Sequence, residues 1–162
     1  MTIVIRQMKD FANKNNKTMK KIFLLIIGLV MGTTMAFAHN HPIKVNQLPE
    51  AAQKFLTTYW NDVKVTRAKM DKDVLEVTYD VHLDNMTKIE FDKKGEWKEI
   101  ESPNVEIPKG IILQSIVDYV ADNYDGSRIV KIKRDHHHFE VELDNDVELK
   151  FDKKGNFKRI DD

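Results

Sequence analysis

Phe91-Asp92-Lys93-Lys94-Gly95-Glu96-Trp97-Lys98-Glu99-Ile100 returns sixty residues later as Phe151-Asp152-Lys153-Lys154-Gly155-Asn156-Phe157-Lys158-Arg159-Ile160. Just upstream, Val81-His82-Leu83-Asp84-Asn85 returns as Val141-Glu142-Leu143-Asp144-Asn145. Over 79–100 against 139–160, 11 of 22 positions are identical. Chance gives about one or two, so the stretch reads as a duplicated unit. Outward from it, Leu48-Pro49 and Ile107-Pro108 each precede a segment of helical spacing. The first helix is expected over 50–60, with Ala52, Phe55, Leu56 and Tyr59 on one stripe. The second is expected over 109–123, with Ile112, Ile116, Tyr119 and Val120 on one stripe. Each proline suits a first helical turn, where no intrahelical N–H is needed.

Four strands are expected after each helix, at 63–70, 74–83, 87–92 and 96–100, then at 128–134, 137–144, 146–152 and 156–161. The second strand of each set alternates cleanly. Leu75, Val77, Tyr79, Val81 and Leu83 face one way, as do Phe139, Val141 and Leu143, with polar residues between them. That pattern belongs to a sheet packed on one face and wet on the other. Asp84-Asn85 and Asn145-Asp146 suit tight hairpins, and Gly95 and Gly155 supply positive φ for the last one. The expected fold is therefore α+β: a tandem repeat of one helix plus a four-stranded antiparallel meander. The units span 48–101 and 107–162, with a connector at 102–106 and an N-terminal linker at 39–47; a unit of about 54 residues has a marginal core alone, so the two are expected to pack together, either side by side as one long sheet or helix to sheet.

Residues 1–38 stand apart. Met19-Lys20-Lys21, the apolar run 22–30 and Ala36-Phe37-Ala38 form the basic head, short apolar middle and small-x-small end of a secretory signal peptide. Met19 reads as the true start and Ala38 as the last residue removed. The apolar run is shorter than the ~20 residues that span a bilayer, so no membrane span is expected after cleavage. With no cysteine in the chain, disulfides, thiolate metal sites and a lipid anchor on a Cys after the cleavage site are excluded. A periplasmic or secreted protein is expected. The full chain balances 26 basic and 26 acidic residues; removing six basic and one acidic with 1–38 leaves 20 against 25, a net −5. A mildly acidic, mixed surface argues for solubility and against nucleic acid as partner.

The tandem pattern of Pro, helix, strand, aromatic-acid-Val-x-Leu, Asp-Asn and Phe-Asp-Lys-Lys-Gly-x-aromatic resembles the exported PepSY-like proteins of Bacteroidetes. In architecture it is similar to the beta-lactamase-inhibitor protein with its two helix-plus-sheet repeats. The resemblance covers nearly all of 48–160, and the Phe-Asp-x-x-Gly-aromatic segments at 91–97 and 151–157 are its most specific part. Asp84-Asn85 and Asp144-Asn145 stand where many relatives carry Asp-Gly. The resemblance implies a binding or peptidase-inhibitory role and supplies no catalytic residues.

Few side chains offer chemistry of their own. His136 and His138 share a face if 136–138 is strand, and two imidazoles can begin a metal site; the ordinary reading is a polar hairpin rim. Cleavage after Ala38 would expose His39-Asn40-His41, whose amine, amides and third-position imidazole can wrap Cu(II) or Ni(II) in a square plane. Trp60, Trp97 and Phe157 are candidate anchors for a partner, because aromatics are enriched in interface hot spots; they serve equally to close a small core. Ser102, Ser115 and Ser127 lie in no nucleophile setting. The expectation is a non-enzymatic exported binding module without a cofactor, docking an envelope protein or peptide. A periplasmic metal-binding protein using His39, His41 or the 136–138 run is the alternative.

Overall fold

The computed structural model describes residues 39–74 and 76–161. The expected signal peptide, its end at Ala38 and the expected inward-facing Leu75 lie outside them. Nine strands follow in order: β1 (His39–Pro42), β2 (Val65–Lys72), β3 (Val77–Leu83), β4 (Lys88–Asp92), β5 (Trp97–Glu101), β6 (Ile129–Arg134), β7 (His138–Leu143), β8 (Glu148–Asp152) and β9 (Phe157–Asp161). Helix α1 (Glu50–Tyr59) precedes β2, and helix α2 (Gln114–Asn123) precedes β6.

This corrects the expected architecture. The chain does not form two helix-plus-four-strand units in tandem. Among the described residues it forms one nine-stranded sheet in the order β1 to β9, every neighbour antiparallel, with two α-helices and a short 3-10 turn at Val45–Gln47, so the described part is mostly β. Two pairings make the difference. β5 pairs with β6 through Glu99↔Lys133, Ile100↔Ile132 and Glu101↔Lys131, which carries the sheet straight across the connector. Residues 39–47, expected as linker, contain β1, which pairs with β2. Both pairings are long-range and leave no local periodicity to read.

Within the sheet the alternation works as chemistry demands. Successive pairings align Ala68, Val81, Ile89, Ile100, Ile132, Val141, Leu149 and Ile160 in one row across eight strands. The first seven are buried, while Ile160, on the edge strand, is 52% exposed. Both helices cover this face. Phe55 of α1 meets the Phe91 ring edge-on with centroids 5.6 Å apart, and Tyr119 of α2 does the same to Phe151 at 5.4 Å. Each helix turns an apolar stripe inward, Ala52 and Leu56 from α1, Ile116 and Val120 from α2.

The second helix is shorter than its pattern suggests. Its first residue is Gln114, not Lys109, because Gly110 takes φ +91° and the Ile111 amide closes a turn on the Pro108 carbonyl. Ile107 and Ile111 are buried instead, pinning that loop to the core. The hairpins after β3 and β7 also differ from a two-residue turn. Met86 and Asp146 take the positive φ, 70° and 64°, while the Asn85 and Asn145 side chains accept from the amides two residues on. This is a three-residue loop closed by a left-handed residue.

Candidate binding site

The open face of the sheet presents two charged rows. One contains Lys69, Asp80, Glu90 and Glu99 followed by Lys133, Glu140, Lys150 and Arg159; the other contains Lys88, Glu101, Lys131 and Glu142. These groups neutralise one another. Lys69 reaches Asp80 at 2.7 Å, Lys88 reaches Glu101 at 3.1 Å, Lys131 reaches Glu99 at 3.2 Å and Lys150 reaches Glu140 at 3.0 Å. Lys98, on the bulge of β5, bridges Glu76 at 2.8 Å and Glu90 at 3.0 Å. Burial alone would lower its pKa, but those two carboxylates outweigh it and raise it. Each such pair stabilises the fold by about 0–1 kcal/mol. A partner docking there has to desolvate charges that are already paired, and it meets no aromatic anchor.

The helix side offers a different surface. A groove of about 520 Å³ runs between α2, the 106–112 loop and the start of β6. Ile107, Ile112, Val117, Val120 and Ile129 line it, and Glu106, Lys109 and Arg128 stand at its rim. Val117 is 38% exposed, as is the neighbouring Leu113. Ordered polar bonds hold one wall: Arg128 donates to the Pro103 carbonyl at 2.8 Å, and its amide donates to Asp144 at 3.1 Å. An apolar floor with a few fixed polar groups at the mouth is the usual make-up of a ligand cleft. The groove was not legible in the sequence, since it arises where the Gly110 turn leaves α2 short of the loop.

The sequence-predicted residues fall in scattered places. Trp60 and Trp97 are 6% and 7% exposed and belong to the core. Trp97 is roofed by the Arg134 guanidinium, 4.1 Å from its ring centroid, whose Nε donates to the Trp97 carbonyl at 2.6 Å. Phe157, on edge strand β9, is partly buried and stacks on Tyr119 at 4.5 Å. His136 and His137 lie in the turn after β6, and only His138 belongs to a strand, so His136 and His138 share no strand face. Both ring nitrogens of His138 are engaged, Nδ1 with Asp135 at 2.9 Å and Nε2 with Glu140 at 2.8 Å. His138 and then Lys150 hold the Glu140 carboxyl below its usual value. Slight burial pushes Asp135 up, but the His137 and His138 amides outweigh it and leave it lowered. At the other end, His39 and His41 lie in β1. Ile43 donates its amide to Ala68 of β2, so by alternation the His41 amide also faces β2, and a square-planar metal would have to take it from the ladder. Among the described residues no three His, Asp or Glu side chains are grouped to hold a metal.

The two Asp-Lys-Lys-Gly turns are built alike and titrate differently. Asp92 accepts from the Lys94 and Glu96 amides. Asp152 accepts the matching pair from Lys154 and Asn156, and the Asn156 side chain adds bonds to both carboxylate oxygens. The Asn156 side chain, then its amide, lower the Asp152 pKa to about 2. A depressed carboxyl stabilises the fold fully above its ordinary value near 3.8, and that contribution disappears as pH falls through about 2. Carbon-detected NMR of the Asp152 carboxyl should therefore show a midpoint near 2, rising toward 3.8 in Asn156→Ala. A wild-type midpoint already near 3.8 contradicts this.

Residues 77–159 match the family model described as "Putative beta-lactamase-inhibitor-like, PepSY-like". A solved Bacteroides thetaiotaomicron structure, described as a "putative calcium-regulated periplasmic protein", is 43% identical with a TM-score of 0.73, covering 76% of this chain and 97% of that one. A Bacteroides vulgatus periplasmic protein of the DUF2874 family is 42% identical with a TM-score of 0.73, covering 78% of this chain and 100% of its own. A second Bacteroides vulgatus periplasmic protein, of unknown function, is 36% identical with a TM-score of 0.72, covering 76% and 99%. No functionally curated protein matches. Among the described residues no helix is long and apolar enough to cross a membrane.

Proposed function

The chain belongs to the PepSY-like family, and from that premise we propose that it is an exported, non-enzymatic binding module of the periplasm that takes an apolar segment of an envelope protein or peptide into the groove beside α2. The observation that carries this reading is the groove itself: a mostly apolar cleft of about 520 Å³ with exposed Val117 on its wall. Its size falls within the ~300–1,000 Å³ of ordinary ligand clefts. Its rim groups, Glu106, Lys109 and Arg128, hold opposite signs at the mouth, which suits an extended chain whose apolar side chains enter and whose backbone and polar groups stay at the rim.

Calcium regulation is attributed to the Bacteroides thetaiotaomicron relative. The Asp92 and Asp152 turns of this chain do not fit such a role. One oxygen of each carboxylate accepts two backbone amides of its own turn, and each aspartate is followed at once by two lysines, so the turn supplies donors and positive charge of its own.

Displayed-peptide selection against the immobilised protein, followed by calorimetry on the enriched sequences, tests the proposal. Val117→Glu places a carboxylate in the apolar wall at an exposed helical position, where it should leave folding intact. It should weaken the selected peptides about tenfold or more. Failure to enrich any sequence, or affinities indifferent to Val117→Glu and Ile112→Glu, would discard the groove as the binding site.

A further inference from the structure

The apolar row that crosses the sheet ends abruptly. Ile100 in β5 and Ile160 in β9 occupy matching places, each paired on one side with the strand before it, Ile89 of β4 and Leu149 of β8. On the other side of Ile100 lies Ile132 of β6, and Ile100 is fully buried. The outer side of β9 carries no strand among the described residues, and Ile160 is 52% exposed. The backbone tells the same story. Ser102 donates its amide to Val130 of β6 at 2.7 Å, so by alternation the Ile100 amide also faces outward from β4. Ile160, in the corresponding place, turns its amide and carbonyl away from β8.

The charges flanking Ile160 indicate what fits there. β5 offers Glu99 and Glu101, and β6 answers with Lys133 and Lys131. β9 instead offers one charge of each sign, Arg159 and Asp161, on either side of Ile160 on the wet face. Within one chain these two rest on each other, Arg159 Nε and its second nitrogen donating to Asp161 at 3.0 and 2.9 Å. An antiparallel copy of the same strand is complementary to this pattern. The opposite edge, β1, reads His-Asn-His-Pro, has no fixed charge to meet Arg159 or Asp161, and ends in a proline that cannot donate.

We propose that the outer edge of β9 is a self-association site, where two copies of this chain pair β9 with β9 antiparallel about a twofold axis at Ile160. That register sets Ile160 against Ile160 on the apolar face and Arg159 against Asp161 of the other copy, twice, on the wet face. The pairing is isologous, so it closes as a dimer and does not propagate. It covers the flank of the sheet where the apolar row meets solvent at Ile160 and joins the two sheets edge to edge.

Sedimentation velocity on the intact protein over a concentration series reads this directly. The wild type should pass from one to two chains in the range of about 10–100 μM, as a short edge with few contacts implies. Ile160→Pro removes the outward amide without touching the ladder to β8 and should leave a monomer with unchanged far-UV circular dichroism. Arg159→Asp puts acid against acid and should weaken dimerisation at least about tenfold. The exchange Arg159→Asp with Asp161→Arg keeps the twofold complementarity and should restore it. A wild type monomeric throughout, a mass that grows past two chains, a dimer indifferent to Ile160→Pro, or no rescue by the exchange would each overturn the proposal. None of these outcomes depends on peptide binding at the groove.

Discussion

Replacing Phe91 with Ala is expected to cost about 3–5 kcal/mol of folding free energy. Phe91 is fully buried near the end of β4, opposite Tyr79 and Trp97, with the Phe55 ring of α1 standing on it edge-on. Truncation removes the ring's transfer free energy and leaves a cavity roofed by a helix that rests on this contact. A domain of this size has about 5–15 kcal/mol to lose, so the midpoint of thermal unfolding should fall by ten degrees or more. The informative comparison is Phe157→Ala. Phe157 also lies on the apolar face, but on the edge strand and only partly buried, with one stacked neighbour in Tyr119. Its loss should cost about 1–2 kcal/mol, because solvent already reaches it and a cavity does not form. Urea unfolding of the two variants at matched conditions decides the matter. Equal costs would mean that α1 does not depend on Phe91 for its seat.

Gly95→Ala should be nearly as damaging, at about 2–4 kcal/mol, and far worse than Gly155→Ala. Both glycines take positive φ, 84° and 81°, in the turn that the preceding aspartate caps. The conformational cost of a side chain there, about 1–2 kcal/mol, is common to both. Their surroundings differ. A Cβ on Gly95 would come within 2.7 Å of the Ala52 amide nitrogen and 2.9 Å of Pro49 Cβ, so the hairpin would have to part from the first turn of α1. A Cβ on Gly155 would meet the Ser115 hydroxyl oxygen, the end of a rotatable side chain, and would press on the side chains of Leu113 and Ile116 at 3.3 Å, which would have to give by a few tenths of an ångström. Gly155→Ala should therefore cost about 1–2 kcal/mol, and part of that should return in the Ser115→Ala background. Indistinguishable costs for the two glycines, measured by the same unfolding experiment, would show that helix contact is immaterial and only φ matters.

Acid sensitivity and groove binding, by contrast, depend on single additions to a shared plan. Asn156, where the other turn has Glu96, is what drives Asp152 down to about 2. Gly110 is what stops α2 at Gln114 and opens the cleft beside Val117. Neither feature announces itself as a motif.

The sequence by itself determined which side of each strand is dry. Alternation at Val81 and Leu83, or at Val141 and Leu143, depends only on neighbours two apart, and β2 to β9 start and end within three residues of the eight expected strands. It also located the turns at Gly95 and Gly155, because glycine takes a positive φ without the cost of a Cβ. Tertiary structure alone decided which edges meet. The pairing of β5 with β6 decided between the two expected packings by merging the helix-plus-meander units into one continuous sheet, sealed Trp97 beneath Arg134 and left Phe157 at a rim, although the two aromatics hold matching places in the chain. It likewise spent both His138 nitrogens on carboxylates and gave residues 39–42 a strand to join. A strand's own residues specify its faces through local geometry, whereas its edge partner is chosen by contacts between segments far apart in the chain, and those are settled only when the whole sheet assembles.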